Sequence, residues 1–400
     1  MIHYAILNLH TTHANLHCNE TIFATFLGEY QEYATLTIGP QEVQTTFKGL
    51  VKASDNEHAL VFGVPSLMAE MQSKSEIHMD ETFQVVPKLA YQLLSIGFIS
   101  HDHFIPALHI LMTKKTEKLY VAVFEHVRGI MPNISPNLVV VDFEAAMIGA
   151  VSEVFPDTEI QGCFFHFAQA VLRKFRSLGL HAFFVRTLDA RRFLRHNLSV
   201  AMLPPEYIPE AIDVHLHPGA ISSQATPAEQ DMLNNAHAYM VQQWKPKAAV
   251  VSVFGCPRRT NNSMESMHSV MLKRFGTHPS FWKFCNSLQD AMRSAVLNAR
   301  RLENGLRLGR LKKPQSMERD SVIHQLSQEL RTGRISYMEY LASVSHRVAA
   351  GIIDRELGVV SEQAPAIQGE SDASDPAQPA QASVSNRNIG LLNFLVIINL

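Results

Sequence analysis

Cysteine and net charge are both scarce in this 400-residue sequence, and each scarcity excludes a class of protein. The four cysteines, Cys18, Cys163, Cys256 and Cys285, lie far apart, so no disulfide framework is expected and a reducing compartment is. Formal net charge is −2 with a pI near 6.9, which excludes a protein that coats nucleic acid through its overall charge. Any DNA contact must come from local patches. Long apolar runs are missing too. The apolar tail 389–400 (IGLLNFLVIINL) falls short of the ~20 residues that span a bilayer, so it reads as a stray C-terminus of doubtful origin and no membrane partner is expected. The start, MIHYAILNLHTTHANLHC, lacks the charged opening and uninterrupted apolar core of a signal peptide.

What is present suffices for a substantial core, with 46% hydrophobic residues. Residues 1–75 mix short apolar runs with polar breaks and receive no role, although His58 to Met71 reads as a strand, a turn at Pro65 and a short helix leading to Asp80. From residue 76 the pattern becomes regular. TFQVV, YQLLSIGFI and FIPALHILM read as three strands at hairpin spacing, followed by a helix over 116–130. NLVVVD is a strand, a helix over 144–155 is stopped by Pro156, and a strand over 159–164 runs into a helix whose Phe167, Val171, Phe175 and Leu178 repeat at helical spacing before Gly179. The order is βββαβαβα. A helical, proline-punctuated insertion occupies 181–255, and helices over 256–350 complete the domain begun at 76–180. Residues 351–388, rich in Ser, Ala, Pro, Gln and acids, are expected to be a disordered linker before the tail.

Three acidic residues stand out within this frame: Asp80 in HMDETFQVVP, Asp142 in NLVVVDFEAAM, and Glu265 in RRTNNSMESMHSVMLKRFG. Asp142 closes an apolar run that reads as a strand buried on both faces, and open α/β sheets bind their ligands beyond the carboxyl ends of such strands. Asp80 sits beside the β-prone stretch Thr82 to Val86. Glu265 lies in a helical pattern with Asn261, Asn262 or Ser263 as N-cap. Two strand carboxylates and one helix carboxylate can converge on Mg²⁺, which takes hard oxygen ligands. Plainer roles exist for each: a helix cap for Asp142, a loop acid for Asp80, and a helix surface residue at the edge of the stripe Met264, Met267, Met271 and Phe275 for Glu265.

Four blocks in this order, MDETFQVVP, VVVDFEAAMIGAVSEVFP, GCFFHFAQAVLRKFRSLGL and RRTNNSMESMHSVMLKRFGTHPSFWKF, resemble the Mutator-like element (MULE) transposases over about 58–290. The resemblance implies a ribonuclease H-like α/β fold: a mixed sheet of three antiparallel and two parallel strands flanked by helices and interrupted by the all-helical insertion. It implies that Asp80, Asp142 and Glu265 form a DDE triad holding Mg²⁺ or Mn²⁺, two ions with DNA bound, for DNA strand cleavage and strand transfer. Cys163 and His166 match the family's C-x-x-H motif, and His268 shares the helical face of Glu265. No zinc is expected, since a closed zinc site needs four ligands and no second pair stands nearby. The partners implied are DNA, as transposon ends and target, and a second copy of the chain in the DNA complex; the compartment implied is the nucleus. Candidate DNA contacts are Arg258 and Arg259 before the third-acid helix, Arg173 and Lys174, and Arg300 and Arg301 in the basic run ARRLENGLRLGRLKKP. Trp244 and Trp282 read as packing residues.

Two departures from the family pattern bear on activity. Glu81 stands where the family usually has Gly, beside the first aspartate. The first 75 residues carry no zinc-binding recognition module, since Cys18 has no cysteine partner nearby, so a fragment or decayed copy is expected. The alternative function is a catalytically inactive, domesticated or decayed transposase that acts as a DNA- or protein-binding module.

Overall fold

The computed structural model describes residues 34–39, 42–88, 90–256, 259, 262–308 and 314–358. Strands β1 (Thr35–Gly39) and β2 (Glu42–Thr45) pair as a separate hairpin. Next come β3 (Phe47–Ser54) and β4 (Glu57–Gly63), after which Pro65 opens helix α1 (Pro65–Met71), where a missing amide loses no hydrogen bond. β5 (Glu76–Thr82), β6 (Gln92–Ser100) and β7 (His103–Met112) form an antiparallel meander. A two-residue loop joins β6 to β7. His101 and Asp102 both take positive φ there (47° and 66°), the backbone a primed hairpin turn requires. Helix α2 (Glu117–Ile130) starts where the Thr116 hydroxyl accepts from the Leu119 amide at 3.3 Å. β8 (Leu138–Val141), α3 (Ala145–Val154), β9 (Glu159–Gly162) and α4 (Phe164–Ser177) then follow as two βα units.

The architecture is α/β. Among the described residues the main sheet has seven strands in the order β3-β4-β7-β6-β5-β8-β9; β5, β8 and β9 run parallel and the other pairs antiparallel. Five strands were expected. β3 and β4, drawn from the stretch without an assigned role, extend the sheet beyond β7, and Ala59, Val61 and Phe62 are buried in the same core as β6 and β7.

A second difference concerns the first acid. The strand is not Thr82 to Val86 but Glu76–Thr82, so Asp80 lies within it. Its polar members disguise it: Asp80 is 2% exposed and His78 2%, with His78 Nε2 2.7 Å from Glu76 Oε1. Alternation along β5 sends neighbouring side chains to opposite faces. Asp80 faces helix α8 (Asn262–Phe275), and Glu81 faces α2. The sheet is therefore covered on one face by α2 and α3, and on the other by α8 and by α9 (Phe281–Glu303).

The insertion is helical throughout its described length. α5 (His181–Arg186), α6 (Leu188–Ser199) and α7 (Pro227–Tyr239) are linked by short single turns and build a second core around Phe183, Leu198, Leu233 and Trp244. α10 (Pro314–Arg331), α11 (Tyr337–Val348) and α12 (Ala350–Leu357) pack into that same core through Leu326, Tyr340 and Ile353. These C-terminal helices were grouped with the sheet domain from sequence; their apolar stripes instead cover the insertion. α12 also occupies residues assigned to the linker 351–388, because Ile353 and Leu357 are buried and Gly358 (φ 65°) ends the helix in the left-handed conformation. The rest of that linker and the tail 389–400 lie outside the described residues, as do Cys18, Arg310, Lys312 and Lys313. All described residues fall in one compact unit, and among them no helix is long and apolar enough to cross a membrane.

Candidate active site

The register of the parallel strands brings the two aspartates together. β5 pairs β8 as Glu76↔Leu138, Ile77↔Val139 and His78↔Val140, an offset of 62 positions. Two more steps along the same offset bring Asp80 opposite Asp142, on strands ~4.8 Å apart. β9 continues the row: Val141 pairs Gly162 and the Cys163 amide donates to the Val141 carbonyl at 2.9 Å, which sets Cys163 beside Asp142. On the other side Asp80 pairs Ser95, and Ser95 pairs His109. One line of polar residues thus crosses the sheet at the carboxyl ends of β5, β8 and β9.

Helix α8 is held over this line at both ends. The Phe164 amide donates to the Arg259 carbonyl (3.0 Å), fixing the approach to α8 beside Cys163. The His278 amide donates to the Gln84 carbonyl (2.8 Å) and its ring Nδ1 to the Val86 carbonyl (3.3 Å), tying the far end to the loop after β5. Met264, Met271 and Phe275 supply the buried stripe that seats the helix. Between those anchors His268 Nδ1 comes within 3.7 Å of Asp80 Oδ2. Residue 265 lies in the first turns of α8, three positions and ~4.5 Å of rise before His268. The Glu265 side chain lies outside the described residues.

The electrostatics are those of buried carboxylates whose one nearby raised histidine is His166. Asp80 Oδ1 accepts from the Glu81 amide (2.9 Å), while Oδ2 is buried without a hydrogen-bond partner. Asp142 Oδ1 accepts from the Glu144 amide (3.0 Å), the local turn that starts α3. Burial pushes Asp142 up to about 6; the nearby His166 opposes this, and Asp80 adds to it by repulsion. His166, on the first turn of α4, is driven the other way. Burial resists its protonation, but the Cys163 sulfur and the carboxylates of Asp80 and Asp142 raise it to about 10. Desolvation lowers His268 in spite of Asp80, and burial beside His268 lowers His109 to about 4. Two adjacent carboxylates with an unpartnered buried oxygen fit a hard divalent cation, which would offset the burial that raises Asp142. Among the described residues, which omit the Glu265 side chain, no three His, Cys, Asp or Glu groups are close enough to hold an ion by themselves.

Glu81 does not project into this line. On the opposite face its Oε1 accepts from the Tyr120 hydroxyl and from Gln92 Nε2 (3.3 Å), and Gln92 Nε2 also reaches the Tyr120 oxygen at 2.6 Å. Burial, then repulsion from Asp142, holds Glu81 well above the usual carboxylate range. Lys115 meets Glu144 at 3.1 Å near Asp142. Ser95 Oγ and His109 Nδ1 lie 3.0 Å apart behind Asp80. None of these partners was singled out from sequence, although the lone Ser and His inside the apolar runs of β6 and β7 were a visible signal. Trp244 links the insertion to the site, packing edge-on against Phe143, next to Asp142, and against Phe167, at 4.9 and 4.8 Å between ring centroids.

The basic candidates divide. Arg259 donates to Asp320 at 2.5 Å, and Arg300 to both oxygens of Glu42 at 2.5 and 2.6 Å. Arg173 and Arg301 are exposed, and Lys174 lies over the Tyr239 ring at 5.7 Å. Arg258 lies outside the described residues. No curated protein matches the chain. Residues 76–170, from the start of β5 through the first half of α4 and so including Asp80, Asp142, Cys163 and His166, match the family model of the MULE transposase domain.

Proposed function

We propose that this chain carries the catalytic core of a DDE-type DNA transposase, a ribonuclease H-like domain that cuts a DNA strand and joins it to a target. The observation that carries the reading is the row at the carboxyl ends of β5, β8 and β9, where strand register brings Asp80 opposite Asp142 beneath a helix fixed at both ends. The match of residues 76–170 to the MULE transposase domain supports it independently.

Mg²⁺ or Mn²⁺, two ions with DNA bound, would make water nucleophilic and neutralise the attacking and leaving oxygens. Asp80 and Asp142 would hold them, with Glu265 supplied from α8. The residues of the chain shape what surrounds that chemistry. On the face of the sheet opposite the carboxylates, Val139, Val141, Met79 and Ile77 are buried in the core beneath α2 and α3, which closes that side of the site to water and strengthens the charge interactions on the other. His166, charged at neutral pH, offers a positive group at the edge of the carboxylate pair where a phosphate would approach. Exposed Arg173 and Arg301, with Lys174, would take backbone phosphates of the transposon end or target. Arg259 and Arg300 already have carboxylate partners and would need to exchange them. Action on chromosomal DNA sets the reading in the nucleus, with two copies of the chain bringing two ends together.

The test is a nicking assay with the full chain, Mn²⁺ or Mg²⁺, and duplex DNA bearing the element's own ends. Asp80→Asn and Asp142→Asn should each lose several kcal/mol of transition-state stabilisation, on the order of a thousandfold in rate. Equal behaviour of wild type and both variants would remove the enzyme reading and leave a DNA- or protein-binding module.

A further inference from the structure

We propose that His268 is a nitrogen ligand of the divalent cation at Asp80 and that it biases the site toward Mn²⁺ over Mg²⁺. This rests on the reading that Asp80 and Asp142 hold such an ion. His268 Nδ1 stands 3.7 Å from Asp80 Oδ2, beyond hydrogen-bond length. Asp80 Oδ2 and His268 Nε2 are both buried without a hydrogen-bond partner. Nδ1 is the nitrogen that faces the carboxylate, and a cation between it and Oδ2 would give the orphaned oxygen its partner. Two ligands on one ion, each bonded at ~2.1 Å, stand ~3.0–3.5 Å apart in octahedral or tetrahedral geometry. The gap is therefore close to an ion's width.

The rest of the ring's surroundings support this orientation. His268 is only 17% exposed, held on the helix that Phe275 and Met271 seat on the sheet. His109, fixed by Ser95 at 3.0 Å, lies within electrostatic reach behind it. With Asp80 and His268 as described donors, water and the remaining acids complete the shell. Mg²⁺ prefers an all-oxygen shell, whereas imidazole suits the transition ions, of which Mn²⁺ is the hardest. A nitrogen in the shell shifts the choice.

The full chain, stripped with chelator, is titrated with Mn²⁺ alone, with Mg²⁺ as competitor, and the bound Mn²⁺ is examined by pulsed electron paramagnetic resonance for ¹⁴N coupling. Wild type should show the coupling. His268→Ala and His268→Asn should both lose it and weaken Mn²⁺ by about tenfold or more, with Mg²⁺ little changed. Bound Mn²⁺ without ¹⁴N coupling in wild type, or with coupling retained in both variants and so supplied by another ring such as His166, overturns the proposal while the cation reading stands. Absence of Mn²⁺ binding, or binding unaffected by Asp80→Asn and Asp142→Asn, overturns both.

Discussion

Glu81 is a residue whose chemistry is strongly altered by its place in the fold. One step along β5 from Asp80, it is turned to the opposite face and closed in by Tyr120 and Gln92, yet it remains near enough to Asp142 to be repelled by it. Its carboxyl is held well above the ordinary value of 4.5. The folded state keeps a proton that the unfolded chain has released, so this residue costs stability increasingly as pH rises above about 4.5. Glu81→Gln, which keeps the shape and removes the charge, should raise the melting temperature at neutral pH and have little effect near pH 4. A gain that did not shrink on acidification would mean that the charge is not the cause. Tyr120→Phe removes the hydroxyl shared by Glu81 and Gln92 and should cost about 1–3 kcal/mol in urea unfolding. The Glu81 side chain beside Asp80 is thus absorbed by the α2 face of the sheet. From sequence, Glu81 bears on activity because it adds a side chain beside Asp80; with β5 drawn as Glu76–Thr82, period-two alternation turns that side chain to the other face.

Elements whose apolar patterns are plain were readable from sequence: β6, β7 and β8, and α2 from its Thr116 cap, fall within a residue or two of expectation. β5 was misplaced because its buried members include His78, Asp80 and Glu81, and β3 went unassigned because Phe47, Leu50 and Val51 are broken up by Lys48, Gly49 and Lys52, whereas the strand expected from His58 is found as β4. Convergence of the two aspartates was expected, but the alignment of the residues behind them was not. Nothing in β6 or β7 announces that Ser95 and His109 line up behind Asp80, since that follows from register, and the register of β6 on β7 shifts at Gly97, opposite Pro106. Proline cannot donate to the ladder, and Gly97 lets the Ile105 carbonyl and the Phe104 ring approach where a Cβ would stand. Gly97→Ala should therefore cost about 2–3 kcal/mol by forcing these strands apart. Gly129→Ala, in the last turn of α2 with open space around the added methyl, should instead stabilise by about 0.5 kcal/mol. Urea midpoints of the two variants should move in opposite directions; a like-sized loss at both positions would contradict the packing described for the β6–β7 pair.

At the scale of the whole molecule, two cores share one compact unit: a sheet core under α2, α3, α8 and α9, and a helical core made by the insertion together with α10–α12. Trp244 against Phe143 and Arg259 against Asp320 link the helical part to the loops that carry the site, so loosening the helical core should be felt at Asp142 and at the start of α8. Acid supplies a means of doing so selectively. His196 on α6 is 8% exposed, and burial, with Arg192, Arg195, His346 and His215 around it, lowers it to about 4 from an ordinary 6.5. The unfolded chain binds a proton there that the folded chain refuses, so stability is lost as pH falls from about 6.5 toward 4. At pH 5 the loss relative to neutrality is about 2 kcal/mol from this residue alone. His196→Gln should flatten the dependence of the urea midpoint on pH between 7 and 5 while leaving the sheet core's own acid response, to which His109 contributes with the same sign, in place. If tryptophan fluorescence of Trp282→Phe, whose remaining tryptophan is the buried Trp244 of the helical core, loses its native signal at higher pH than the far-ultraviolet signal, the helical core opens first; coincident transitions would show the two cores unfolding as one.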